Sequence, residues 1–276
     1  MSHFRQTIMS QRTFLCAAIF FAALLLNGCP APQETVKTEQ PPAPTPPAEK
    51  KPAGPDLTLV VASINLGAVN RRIEKADIDD LCRTIAREKV DILAVEGMTR
   101  YPGVATRIDV YQEIAAGTGM RSIFGETNTV SGRQGGNALY STYPISSHEN
   151  TPYTGIASTN FESALLGLVD AGAREVAVVS TLVPATASAQ EQRVWDAMLG
   201  SLRKSYGGKP MIVTGNLPLL PVPNGDGVFR SVDSDGPPPR TWYTIEGLRP
   251  LQSKVVESAL GRILFTPFGV YREGRP

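Results

Sequence analysis

The sequence predicts an α/β (α+β) domain over residues 56–276, and three observations carry that prediction. The stretch opens as strand, helix, strand. It continues through short β-rich runs separated by glycine turns. One amphipathic segment around Trp195 interrupts those runs with a helical period.

The first run, Leu57-Thr-Leu-Val-Val-Ala-Ser-Ile64, is mostly apolar and ends at Asn65, at the mouth of the predicted sheet. Ile78, Leu81, Cys82 and Ile85 then recur at i, i+3, i+4 and i+7, one apolar helix face on which Cys82 is packing. Asp77, Asp79 and Asp80 crowd the first turn, and Arg87 and Lys89 the last, which suits the helix macrodipole. Asp91-Ile-Leu-Ala-Val-Glu96-Gly97 sets four apolar residues between two carboxylates and so predicts a buried strand. Glu96 is expected where that strand leaves the sheet. It is either a solvated strand-end residue or an oxygen ligand for a hard divalent cation.

A second helix is predicted over residues 108–116, ending at Gly117 and Gly119. Strands are predicted at Ser122–Phe124, Asn137–Tyr140, Ser163–Val169 and Glu175–Val183, with Gly135-Gly136 and Gly172 as turns. Ser188-Ala-Gln-Glu191 fits a capping box. Val194, Trp195, Met198, Leu199 and Leu202 follow as a helical stripe stopped by Gly207-Gly208, and Trp195 on that stripe is core. Met211–Thr214 is a strand ending at Gly215-Asn216. Short apolar runs at Trp242–Ile245, Lys254–Val256 and Arg262–Phe265 complete the domain, without internal repeats.

Charges nearly cancel, 27 Lys+Arg against 26 Asp+Glu, so there is no strong pull toward nucleic acid. Two of the three cysteines, Cys16 and Cys29, lie near the N-terminus. Cys82 alone remains in the domain, which can form no internal disulfide. Arg5 and Arg12 precede an apolar stretch from Thr13 to Leu26, short for a membrane span but right for a signal-peptide core. Leu26-Asn27-Gly28-Cys29 follows and resembles the lipobox of bacterial lipoproteins, with Asn27 a less usual residue at its position. That resemblance implies cleavage of residues 1–28, an acylated Cys29 anchored in a lipid bilayer, and a place in the cell envelope facing the periplasm or the exterior. Cleavage removes two arginines and no acids, leaving 25 Lys+Arg against 26 Asp+Glu. Nine of the 26 residues in 30–55 are proline, so residues 29–55 form an extended tether. At about 3.1 Å per residue it spans roughly 80 Å.

Six segments of the domain occur in an order that resembles the endonuclease/exonuclease/phosphatase superfamily. Ala62-Ser-Ile-Asn65 is similar to its first-strand motif, and Asp91–Glu96 to the strand whose Glu binds metal. Gly136-Asn-Ala-Leu-Tyr-Ser-Thr-Tyr-Pro-Ile145 is similar to its central "G-N-A-x-x-S-x-Y-P-I" stretch. Val178-Val-Ser-Thr181 lines up with "V-x-N-T-H-L", and Met211-Ile-Val-Thr-Gly-Asn216 with the strand ending in "G-D-F-N". Arg240-Thr-Trp242 resembles a threonine-tryptophan pair near the end of the family's domain. The resemblance implies two stacked mixed β-sheets flanked by helices, a four-layer sandwich. It also implies a phosphoester-hydrolysing site with Mg²⁺ or Mn²⁺ on Glu96 and Asn65.

The departures from the family pattern decide the functional expectation. The family's histidine falls on Leu182, its aspartate on Asn216 and its asparagine on Pro218, while Leu264 stands where an aspartate is frequent. With Asn137, Leu182 and Asn216 are vestigial catalytic positions. Neither an amide nor a leucine serves as a general base. The one histidine beyond the leader, His148, is expected in the loop after Ile145. Two functions follow: a non-catalytic membrane-anchored module binding an unknown, phosphate-bearing ligand, or an active metal-dependent phosphodiesterase, phosphatase or nuclease with relocated groups. Asp226, Asp233 or Asp235 would supply its carboxylate, although all three suit turns. Arg133, Arg230 and Arg240 are candidate phosphate contacts at the mouth, or plain surface charge.

Overall fold

A computed structural model describes residues 54–104, 107–153, 163–183, 188–217, 229–232 and 238–272. The leader, Cys29 and most of the tether lie outside the described residues, as do Pro218, Asp226, Asp233 and Asp235. No helix among the described residues is long and apolar enough to cross a membrane.

β1 (Leu57–Asn65) leads through a 3-10 turn (Leu66–Ala68) to α1 (Lys75–Arg87). Ile78, Leu81, Cys82 and Ile85 are all buried, as their spacing requires. Asp77 accepts from the Glu74 N–H at 2.9 Å and binds Arg71 at 2.6 Å, so it fixes the helix start as well as opposing the dipole. β2 (Ile92–Arg100) begins where predicted but runs past Glu96. α2 (Val110–Thr118) starts two residues later than expected, because the Asp109 carboxylate caps it by accepting from the Gln112 N–H at 3.4 Å. Gly119, at φ 67°, ends it.

β3 (Arg121–Val130) and β4 (Arg133–Ser141) form a hairpin through Ser131-Gly132, longer than either predicted run. β5 (Ile145–Pro152) occupies the stretch expected to be a loop around His148. Its polar, largely exposed residues hold an edge position against β6 (Ser163–Asp170), and an edge strand needs no apolar face to be paired. β7 (Glu175–Leu182) follows, then α3 (Ala189–Ser205) and β8 (Met211–Asn216). The last strands are β9 (Phe229–Ser231), β10 (Arg240–Thr244), β11 (Leu248–Pro250), β12 (Lys254–Ser258) and β13 (Gly261–Val270).

Among the described residues the strands make two mixed sheets. One runs β11-β13-β1-β2-β4-β3 with β12 also on β13; the other runs β5-β6-β7-β8-β10-β9. Each is antiparallel except for one central parallel pair: β1 with β2, joined across α1, and β7 with β8, joined across α3.

Strand alternation sorts the core into three clusters. Ala62, Ile64, Leu93 and Val95 face α1 and α2. Leu59, Val61, Ile92 and Ala94 meet Leu165, Val176, Val178 and Ile212 between the sheets. Ala177, Val179 and Val213 face Trp195, Leu199 and Leu202 of α3. The order is therefore helices, sheet, sheet, helix. Trp195 is wholly buried and meets Trp242 edge-on at 4.8 Å.

Candidate functional site

The carboxyl ends of the two parallel pairs lie at one end of the sandwich, where open α/β sheets commonly place their sites. The inner-face rows change character there. Val61 gives way to Ser63, Ala94 to Glu96, Leu139 to Asn137, Leu165 to Ser163 and Val178 to Ser180, every one of these polar residues at most 1% exposed. A buried polar layer thus caps the apolar inter-sheet core, and such a layer must satisfy itself with hydrogen bonds.

Glu96 is at its centre, and its position corrects the sequence expectation. It does not stand at a strand end in an open mouth. It is 0% exposed, within β2, pointing between the sheets. The Ser63 hydroxyl donates to its two oxygens at 3.3 and 3.2 Å, and the Ser180 hydroxyl, from the opposite sheet, donates at 3.0 Å. Burial pushes the Glu96 carboxyl from 4.5 up to about 8, against the lowering pull of those hydroxyls. The strand survives past Glu96 because Gly97 forms a bulge between Val95 and Met98. Gly97 has φ +64°, and a Cβ there would stand 2.6 Å from the Gly67 backbone, so only glycine lets the 3-10 turn lie on β2.

Asn137 is a tie. Its Oδ1 accepts from the Gly97 N–H at 3.1 Å, and its Nδ2 donates to the Ser163 carbonyl at 2.9 Å and hydroxyl at 3.2 Å. It joins the bulge of one sheet to the first residue of β6 in the other. Asn65 pairs with Glu96 across β1 and β2, and Leu182 pairs with Asn216 across β7 and β8. The Asn216 amide donates to the Val183 carbonyl at 3.2 Å. Asn65 Oδ1 is buried without a hydrogen-bond partner.

A divalent cation would find the Asn65 Oδ1 without a hydrogen-bond partner and, beside it, the Glu96 carboxyl accepting from the Ser63 and Ser180 hydroxyls. No group of three His, Cys, Asp or Glu side chains able to share an ion occurs among the described residues. Mg²⁺ binds anionic oxygens and keeps several waters, whereas Glu96 is wholly buried. Among the described residues the donor set is short of the anionic oxygens that Mg²⁺ or Mn²⁺ requires.

Two clefts open at this end. One, of about 370 Å³, lies over Asn65 and Asn216 and is walled by Arg71, Arg262, Pro238 and Pro239. The other, of about 290 Å³, lies beside Gly97 and Thr99, with Leu66, Val69, Ile73 and Ile108 as apolar walls and Arg71, Arg72 and Arg107 as its charges. Arg133, Arg230 and Arg240 line neither cleft: Arg133 opens β4 at the hairpin tip, Arg230 is exposed on β9, and Arg240 lies opposite Gly215 in the ladder. The guanidinium groups at the mouth are instead those of Arg71 and Arg72, between the 3-10 turn and α1, of Arg107, and of Arg262. The Arg71-Arg72 pair in the loop leaving β1 is the sequence signal that would have found two of them.

No protein-family model and no curated protein sequence matches this chain. Solved structures do. An endonuclease/exonuclease/phosphatase family protein from Leptotrichia buccalis superposes with TM-score 0.57 at 11% identity, over 77% of this chain and 99% of that one. The endonuclease/exonuclease/phosphatase of Beutenbergia cavernae superposes with TM-score 0.60 at 14% identity, over 78% and 72% of the two chains. The human Nocturnin catalytic domain, solved with a bound sulfate anion, superposes with TM-score 0.58 at 15% identity, over 77% and 93%.

Proposed function

From a fold that is the two-sheet α/β sandwich of the endonuclease/exonuclease/phosphatase type, we propose that this chain is a cell-envelope lipoprotein whose domain binds a ligand and does not hydrolyse one. The observation that carries the proposal is the fate of Glu96. The one carboxylate matching the family's metal ligand is withdrawn between the sheets and enclosed by Ser63 and Ser180. Leu182 and Asn216, beside it at the strand ends, bring no acid or base. Among the described residues the mouth offers guanidinium and amide chemistry, which holds anions without activating water. Acylation at Cys29 holds the protein to a bilayer, and the proline-rich tether lets the mouth sample a layer on the order of 80 Å deep.

One observation favours the alternative, an active phosphoesterase: the unpartnered Asn65 Oδ1 is an acceptor that a cation would satisfy. The deciding experiment incubates the protein with bis(p-nitrophenyl) phosphate and with p-nitrophenyl phosphate in Mg²⁺ or Mn²⁺. No turnover above blank is expected. Turnover that Glu96→Gln abolishes would establish a live metal site. For the anchor, Cys29→Ser is expected to release the protein from membranes, and a variant that still pelleted with them after a high-salt wash would overturn the lipoprotein assignment.

A further inference from the structure

We propose that the cleft beside Gly97 is a binding site for a small organic anion, a single ring-sized apolar body carrying a phosphate or similar anionic group. The inference rests on the binding-module reading above and names the ligand class for it.

The cleft's lining contains three arginines and no carboxylate. Its guanidinium groups are not equally committed. Arg71 is held by two hydrogen bonds to Asp77, at 2.6 and 2.9 Å, and by one each to the Arg72 carbonyl at 2.9 Å and the Ala259 carbonyl at 3.0 Å. It serves as the partition between this cleft and the one over Asn65 and Asn216, which it also lines. Arg72 makes only a 3.5 Å contact with Glu74, both side chains more than half exposed. Arg107 lies over the Tyr101 ring at 5.5 Å and is exposed. Two cations with little competition from acids thus face a common volume, the arrangement that binds a phosphate through charge-assisted hydrogen bonds.

The rest of the lining answers to a different part of a ligand. Ile73 and Ile108 line the cavity with apolar side chains, and Tyr101 adds a ring. An inorganic anion would leave that surface in contact with water. An anion carrying an aromatic or short aliphatic body covers it, at about 25 cal/mol per Å² of apolar area removed from water. Size limits the body: about 290 Å³ is at the lower end for small-molecule sites and takes one ring, not two acyl chains. The floor is rigid, because the Gly97 bulge is pinned by Asn137 at 3.1 Å and by the close approach of Gly67.

The test is calorimetry on the full chain with phenyl phosphate and inorganic phosphate, repeated on Arg72→Ala, Arg107→Ala and Arg262→Ala. Arg72 and Arg107 are exposed, so their removal leaves the core intact. Phenyl phosphate is expected to bind at least about tenfold more tightly than inorganic phosphate. Arg72→Ala and Arg107→Ala are each expected to weaken it about tenfold, and Arg262→Ala, in the neighbouring cleft, less than about twofold. Equal affinity for the two probes would overturn the apolar half of the proposal. Loss of binding in Arg262→Ala alone would move the site to the Asn65 cleft and overturn this proposal while the binding-module reading stood. Absence of binding by either probe would overturn the proposal. Hydrolysis of phenyl phosphate, with binding still dependent on Arg72 and Arg107, would overturn the module reading and leave this site in place. Vesicles carrying phosphatidic acid form a separate arm. They are not expected to displace phenyl phosphate, and displacement would reassign the cleft to a lipid headgroup.

Discussion

Replacing Glu96 by glutamine tests the buried polar layer directly. A carboxyl whose folded value is raised from 4.5 to about 8 keeps its proton in the fold after the unfolded chain has lost it. The contribution to stability is therefore greatest below pH 4.5 and falls as pH rises through 8, where ionisation of a wholly buried group is forced. The shift corresponds to about 5 kcal/mol between those limits, an upper bound because water entry and local relaxation soften it. Glutamine is nearly isosteric and cannot ionise. Its amide must donate to the Ser63 or Ser180 oxygen, a reversal that hydroxyls permit at a cost of about 1 kcal/mol. At pH 4.5 the variant is expected to be slightly less stable than the wild type. At pH 8.5 it is expected to be more stable by about 3 kcal/mol. Urea unfolding followed by the fluorescence of the buried Trp195 and Trp242 measures both. Asp77, held down to about 2 by its hydrogen bond to Arg71, titrates below this window. The shallower effects of Asp91 and Asp196, both raised by burial, are common to the two proteins and cancel in the difference. Parallel stability curves for the two proteins from pH 4.5 to 8.5 would refute the argument and mean that Glu96 is ionised in the fold.

Gly97→Ala combines a left-handed backbone with a Cβ 2.6 Å from the Gly67 backbone, so a loss of about 2–4 kcal/mol is expected by the same urea titration. Trp195→Ala empties the space between α3 and the second sheet and should cost about 3–5 kcal/mol, visible as a lowered midpoint with an unchanged slope. A chain beginning at Gly54 should unfold in one cooperative transition, because the Asp56 N–H already bonds the Val270 carbonyl at 3.0 Å and its carboxylate accepts from the Arg272 N–H at 2.9 Å. Loss of cooperativity in that chain would place part of the tether in the core.

Much of the architecture was legible in the sequence because its causes are local. The spacing of Ile78, Leu81, Cys82 and Ile85 makes an apolar stripe in any helix, and the run from Ile92 to Val95 makes a buried strand between any two covered faces. Where the cause was pairing rather than pattern, the sequence was silent. β5 has no apolar face and exists because β6 offers it a ladder. The β3–β4 hairpin extends as far as its hydrogen bonds run.

The candidate site divides along the same line. The sequence by itself determined which residue types stand at the strand ends: Asn65 and Glu96 present, leucine at 182 and an amide at 216. Only the tertiary structure decided what Glu96 is. Its environment is made by Ser180, 84 positions away on a strand of the other sheet, and by the closing of one sheet over the other, which removes water from a carboxyl that would otherwise ionise. The arginine clefts were equally out of reach. Arg72 precedes α1 and Arg107 precedes α2, with β2 between them in the chain, and they line one volume beside the glycine bulge that lets a 3-10 turn rest on β2. Periodicity and composition are properties of neighbours in the chain. Burial, and the charge state it imposes, is a property of neighbours in space.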